Sequence, residues 1–104
     1  MNITQLATEL NKIGFPLSYH HFTTPPAPPY LIYLFSYSND LIADDHNVMD
    51  IGVYQIELYT DKKDLASEKK VEDKLKEMEL PYTKIETWID EEKLYQIIYE
   101  ITLI

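Results

Sequence analysis

The 104-residue sequence contains no cysteine and no arginine, and its only two glycines are Gly14 and Gly52. Without cysteine, the chain cannot form a disulfide, a thiolate nucleophile or a cysteine-ligated zinc site. Without arginine, it lacks the side chain that binds phosphate and carboxylate groups in a bidentate manner. Two isolated glycines cannot build a glycine-rich phosphate-binding loop. These absences exclude several large classes of enzyme and of nucleotide-binding protein.

Positive charge is also scarce, because nine lysines stand against 18 acidic residues and leave a formal net charge of −9. Nucleic-acid phosphates and anionic membrane surfaces would repel such a chain, so we expect neither as a partner. The longest uninterrupted apolar run, residues 30–35, is too short to cross a bilayer. The first residues lack the basic and apolar regions of a signal peptide, and the absence of cysteine fits a reducing cytosol.

The pattern of apolar residues predicts a single α+β domain over residues 1–104. Its hydrophobic content of 45% is enough to form a core without disulfide bonds or a structural metal ion. Asn2 and Gln5 have the spacing of a helix capping box, and four prolines in residues 23–29 predict a stiff connector. The predicted elements are helix 3–13, strand 30–37, strand 52–60, helix 61–80, strand 83–89 and a last strand from about residue 95. Residues 17–22 could add an edge strand. The order α-β-β-α-β-β predicts one antiparallel four-stranded sheet with both helices packed on one face.

No spacing of reactive residues indicates catalysis. His20 and His21 are adjacent, and on a strand their rings would point to opposite faces, so they are not expected to share a metal ion. The acidic run 90–92 falls in a predicted turn, and no serine has the flanking glycines of a nucleophile elbow. We therefore predict that the chain is not an enzyme and that it binds no cofactor and no metal.

Residues 38–50 are predicted to form an acidic loop. The loop contains no lysine, and its polar candidates for contact with a partner are Asp40, Asp44, Asp45, His46 and Asp50. The spacing does not fit a calcium-binding loop, which needs a central glycine and a closing glutamate. Closely spaced carboxylates repel one another, so we expect the loop to be mobile until a partner docks on it.

Nine tyrosines are numerous for so short a chain. A tyrosine combines an apolar ring with a polar hydroxyl, and it suits half-buried interfaces. Tyr30 and Tyr33 follow the proline-rich connector and are therefore candidate interface residues. Ordinary aromatic pairing between neighbouring strands is an equally good explanation for any one tyrosine.

Several stretches together resemble a known class of proteins. Residues 28–33 (PPYLIY) precede the acidic loop, residues 55–64 (QIELYTDKKD) lead into a Glu/Lys-rich helix, and residues 94–100 (LYQIIYE) lie in the last strand. This arrangement resembles the small tail-completion proteins of siphophages and prophages of Gram-positive bacteria. These are tail terminators or head–tail joining proteins, and the resemblance covers most of the chain.

The resemblance implies a structural subunit that forms a ring, commonly hexameric, at the end of the phage tail tube. Its partners would be further copies of itself, the tail-tube protein and the head–tail connector protein. Loop 38–50 and the proline segment 23–29 would be docking elements. The protein would lie in the bacterial cytoplasm during assembly and in the tail or neck of the finished virion. The acidic balance would keep passing DNA from sticking to the ring.

Two other functions remain open on sequence alone. An acidic inhibitor from a mobile element that mimics DNA would explain the net charge and the missing arginine. It would need carboxylates spread regularly over the surface, whereas here many acidic residues alternate with lysines in helix 61–80. A ferredoxin-like regulatory domain would need a pocket with converging polar groups, and the sequence indicates none.

Overall fold

The computed structural model of the chain describes residues 1–104. The elements in chain order are α1 (Ile3–Asn11), β1 (Leu17–Tyr19), β2 (Tyr30–Ser38), β3 (Leu41–Ala43), β4 (His46–Met49), β5 (Gly52–Thr60), α2 (Leu65–Glu77), β6 (Thr83–Ile89) and β7 (Leu94–Leu103). Five strands form the main sheet in the order β1-β2-β5-β7-β6, and β3 and β4 form a separate two-stranded sheet. The α+β class is thus confirmed. Neither helix is long and apolar enough to cross a membrane.

The prediction of a single four-stranded antiparallel sheet is wrong in two respects. First, β1 adds a fifth strand that runs parallel to β2, with Leu17 opposite Leu31 and Tyr19 opposite Tyr33. Parallel neighbours need a connection that returns to the same end of the sheet, and the proline-rich residues 20–29 supply it. Second, part of the predicted acidic loop is the hairpin β3–β4, which lies outside the main sheet.

Both helices begin at a side-chain cap. Asn2 and Gln5 form the predicted capping box at α1. Asp64 caps α2 by accepting hydrogen bonds from the backbone and the hydroxyl of Ser67, so this helix begins later than the predicted residue 61. It also ends earlier than predicted, because Glu79 has a φ of 58° and turns the chain out of the helix. Leu80 N then donates to the carbonyl of Leu75, as in a Schellman motif.

The core lies between the two helices and one face of the sheet. It consists of alternate strand residues together with buried residues of both helices. The members are Leu6, Leu10, Leu31, Ile56, Leu58, Val71, Leu75, Ile97, Tyr99, Ile101 and Leu103. The opposite face carries a smaller cluster of Tyr30, Ile32 and Tyr59, with Phe22 packed against it. Burial of this apolar surface is the main source of stability.

Candidate assembly surface

The acidic segment predicted as a loop contains a β-hairpin, here called the hairpin arm (Leu41–Met49). Its turn consists of Asp44 and Asp45, whose φ values of 51° and 62° both lie in the left-handed region. Two central residues with positive φ are the mark of a type I′ turn, whose twist matches that of the strands it joins. Aspartate is one of the few residues with a side chain that adopts this conformation readily. Two of the aspartates predicted as partner-contact residues therefore serve to reverse the chain.

The base of the hairpin arm is held by Asp40. Its carboxylate accepts a hydrogen bond of 2.6 Å from Asn47 Nδ2 and one of 2.8 Å from the backbone N–H of Ile51. A third bond joins Asn39 N to the carbonyl of Ile51 at 2.7 Å. Asp40, predicted as a contact residue, thus has a structural role in fixing the arm to the body of the protein.

All residues of the two arm strands are exposed. Pairing places Leu41 opposite Met49 and Ala43 opposite His46, so these residues share one face of the ribbon. Ile42 points to the other face and is 65% exposed. A two-stranded hairpin alone is at best marginally stable in water. An arm that leaves its large apolar side chains in solvent gains stability when another surface covers them.

The exposed apolar residues of the chain concentrate at this end of the molecule. Of twelve large hydrophobic side chains that are exposed, eight lie on the hairpin arm or beside it. These eight are Met1, Phe35, Tyr37, Leu41, Ile42, Val48, Met49 and Ile104. An apolar surface of this kind marks a site of protein–protein interaction more often than a chance exposure.

An open groove of about 470 Å³ lies at the base of the hairpin arm. The N-terminus, the end of β7 and the residues flanking the arm form its walls, which are mostly apolar. Its lining includes Ile3, Phe35, Tyr54 and Leu103, with Asp50 among its polar residues. Arm and groove together form one continuous candidate surface, which we call the arm surface.

The arm surface is also the part of the chain where negative charge is not balanced. No lysine lies between Lys12 and Lys62, while four carboxylates lie on the arm or at its base, namely Asp40, Asp44, Asp45 and Asp50. None of the nine ion pairs in the structure includes an aspartate of the arm or its base. Elsewhere most lysines are paired. The arm surface therefore carries negative charge that no lysine of the chain balances.

The structure divides the predicted interface residues into two groups. Asp44, Asp45 and His46 lie on the hairpin arm, and Asp40 and Asp50 line the groove at its base. Tyr30 and Tyr33 lie elsewhere. Tyr30 is 4% exposed and stacks on Tyr59 at a centroid distance of 4.9 Å, and Tyr33 packs edge-to-face against Tyr19 at 5.2 Å. Burial, and after it the negative charge of Glu92, raise the pKa of Tyr30.

The apolar residues of the arm were missed in the sequence. Leu41, Ile42, Val48 and Met49 stand in two short runs between aspartates. The two runs are separated by the five residues 43–47, and the central pair Asp44-Asp45 is a weaker turn signal than Asn-Gly or Asp-Gly. The apolar residues on both sides of Asp44-Asp45 are the signal that indicates a hairpin.

His20 and His21 do not lie on a strand, so the opposite-face arrangement expected for a strand does not apply to them. β1 ends at Tyr19, and His20 has a φ of 67°, so the pair is not extended. The two rings pack edge-to-face with their Nδ1 atoms 3.2 Å apart, which is a hydrogen-bond distance. One ring nitrogen must therefore donate and the other accept. No group of three or more His, Asp or Glu side chains is placed to hold a metal ion.

A second polar cluster joins α2 to the strands β6 and β7. Glu68, which is 2% exposed, has Lys84 Nζ 2.7 Å from its Oε1 and Lys63 Nζ 2.7 Å from its Oε2. The contact with Lys84 is an ion pair whose angle departs from that of a regular hydrogen bond. Lys84 also contacts Glu72 at 2.8 Å, and Tyr99 donates a 2.7 Å hydrogen bond to the same carboxylate.

The charges of this cluster explain its pKa values. Burial alone would raise the pKa of Glu68, but the two lysines outweigh it and hold the pKa below its ordinary value. The pKa of Glu72 is also lowered, because the hydrogen bonds from Lys84 and Tyr99 outweigh the effect of its burial. Burial and the neighbouring Glu72 carboxylate raise the pKa of Tyr99. Every group has a partner of opposite charge or a hydrogen bond, so the cluster fixes α2 on the sheet and offers no free reactive group.

Comparison with known proteins adds no assignment, since neither the family models nor the curated proteins contain a match to this chain.

Proposed function

We propose that the protein is a structural subunit of phage or prophage tail completion, a tail terminator or head–tail joining protein that assembles as a ring at the end of the tail tube. The observation that carries the proposal is the arm surface, where an exposed apolar hairpin projects beside an apolar groove. Such a surface suits a protein whose function is to be covered by neighbours. The sequence resemblance supplies the tail as the setting.

The shape of the molecule is consistent with a subunit that reaches across an interface. Its principal extents are 49 × 29 × 23 Å, so one dimension is much longer than the other two. The main sheet also leaves β6 as an open edge, with the exposed side chains of Ile85 and Trp88. A free edge can pair with a strand of another chain. The subunit thus offers two distinct surfaces, as a closed ring that also binds a tube requires.

The competing proposal of a DNA mimic has less support. Mimicry of a phosphate backbone needs unpaired carboxylates in a regular array. On α2 the carboxylates are paired, for example Asp73 with Lys69 and Glu77 with Lys74. Of the acidic residues outside ion pairs, Asp40, Asp44, Asp45 and Asp50 lie on the hairpin arm or at its base, beside exposed apolar side chains.

The test is assembly with the tail-tube protein encoded in the same gene cluster. We expect light scattering and negative-stain electron microscopy of the mixture to reveal rings or capped tubes. Ile42→Ser on the arm should weaken this assembly at least about tenfold, since it removes a large apolar contact. Leu65→Ser is the matched control, because Leu65 is equally exposed (68%) but lies at the start of α2. A chain that stays monomeric and never associates with the tube protein would refute the proposal.

A further inference from the structure

The hairpin arm combines two properties that together restrict what can cover it. Its apolar side chains need a dry, apolar counterpart, and its aspartates need positive charge or water. Asp44 and Asp45 lie at the tip, and Asp40 and Asp50 lie at the base, so carboxylates flank the apolar strands at both ends. A suitable partner therefore has an apolar groove with positive charge at both of its ends.

A second copy of the chain is a poor partner for this surface. Contact between two arm surfaces would bring the four aspartates of one copy against the same four of the other, and like charges facing each other oppose association. The rest of the chain offers little positive charge. Six of the nine lysines already form ion pairs within the chain. The three others, Lys62, Lys70 and Lys76, lie on or next to α2 among acidic residues.

We propose that the hairpin arm docks into a groove of a different protein, one lined by apolar side chains and flanked by lysine or arginine. This inference rests on the proposed assembly function, because it names the partner chemistry of the same surface. Leu41 and Met49 would enter the groove on one face of the ribbon, and the tip aspartates would meet the basic residues. The outer edges of β3 and β4 are unpaired, so a strand of the partner can add to the ribbon by backbone hydrogen bonds. Contacts between copies would then use other surfaces.

The test uses the intact protein and two synthetic amphipathic helical peptides as probes. Both peptides carry the same leucine face, and the polar face is lysine in one and glutamate in the other. Methyl resonances of Leu41, Val48 and Met49 report binding by NMR. We expect the lysine peptide to shift them and the glutamate peptide to leave them unchanged. The affinity should fall at least about fivefold when salt is raised, since exposed charges are screened.

Two sets of variants separate the charged from the apolar contribution. Asp44→Asn with Asp45→Asn should weaken binding of the lysine peptide about tenfold. Asparagine also adopts the left-handed turn conformation, so the hairpin is retained, and unchanged core methyl resonances would confirm this. Val48→Ser should weaken binding to a similar degree, whereas the control Leu65→Ser should not.

Three results would overturn the inference. The lysine peptide could leave the arm methyls unshifted, or bind the double asparagine variant equally well. Alternatively, the arm methyls could shift when the concentration of the protein alone is raised, which would identify another copy as the occupant. Failure of this docking inference can be distinguished from failure of the proposed tail function. If rings form in which the arm contacts another copy of the chain, only the inference of a basic partner is refuted. If the lysine peptide binds but the protein never assembles with the tube protein, only the tail function is refuted.

Discussion

The hydroxyl of Tyr99 gives the sharpest test of the cluster that fixes α2 on the sheet. Tyr99→Phe removes one hydrogen bond, of 2.7 Å, to the Glu72 carboxylate. The ring is fully buried and phenylalanine fills the same space, so the change leaves almost no cavity. A hydrogen bond to a charged group contributes about 1.5–3 kcal/mol. Glu72 keeps Lys84 at 2.8 Å and is one-fifth exposed, so we expect the lower end, about 1.5 kcal/mol.

This loss should lower the midpoint of thermal unfolding by about 6–12 °C in a chain of this size. Urea unfolding followed by circular dichroism measures the free-energy change directly. Tyr37→Phe is the matched control, because Tyr37 is half-exposed and its hydroxyl makes no hydrogen bond within the chain; its effect should stay within about 0.5 kcal/mol. If Tyr99→Phe and Tyr37→Phe have equal effects, the hydroxyl does not contribute to holding the helix.

Three further changes test the same architecture. The pKa of Glu68 is lowered in the folded state, so its ion pairs stabilise the protein above the ordinary glutamate pKa of about 4.3 and are lost as the pH falls through the lower folded value. Glu68→Gln should therefore flatten the fall of unfolding free energy in acid, and urea titrations at a series of pH values measure this. Leu75→Ala deletes a fully buried side chain and should cost about 2–5 kcal/mol in urea unfolding, whereas Leu65→Ala on the surface should cost less than about 0.5. Glu79→Gly should raise the thermal midpoint, with a net gain of about 0.5–1 kcal/mol, because glycine adopts a φ of 58° without strain.

The sequence was sufficient for the elements whose pattern is local. Strands predicted at 52–60 and 83–89 are β5 (Gly52–Thr60) and β6 (Thr83–Ile89). The capping box at Asn2 is a purely local feature, and it is present. Alternation also assigned the buried face of β5, where Ile56 and Leu58 lie in the core. In each case the evidence stands within a few residues of the element itself.

Pairing partners were not predictable in the same way. The parallel neighbour of β1 depends on where the proline-rich connector takes the chain, and no residue of β1 specifies it. The face of β6 that lies toward the helices was also not predictable from the sequence. Lys84 and Glu86 lie on that face, while the apolar Ile85 lies on the open one. Hydrophobicity alone would favour the reverse, but Glu68 and Glu72 of α2 hold Lys84 across the gap.

The distribution of charge opposes contact between the exposed apolar arms of two copies of the chain. Unpaired strand edges with apolar side chains tend to pair with one another, and charged residues at such edges prevent this. Asp44 and Asp45 stand at the tip of the arm, and Asp40 and Asp50 at its base, with no lysine nearby to neutralise them. Most lysines form ion pairs within the chain, around α2 and elsewhere outside the arm. The same carboxylates that keep two arms apart therefore select for a partner with positive charge, and the net charge of the chain becomes a determinant of what it can bind.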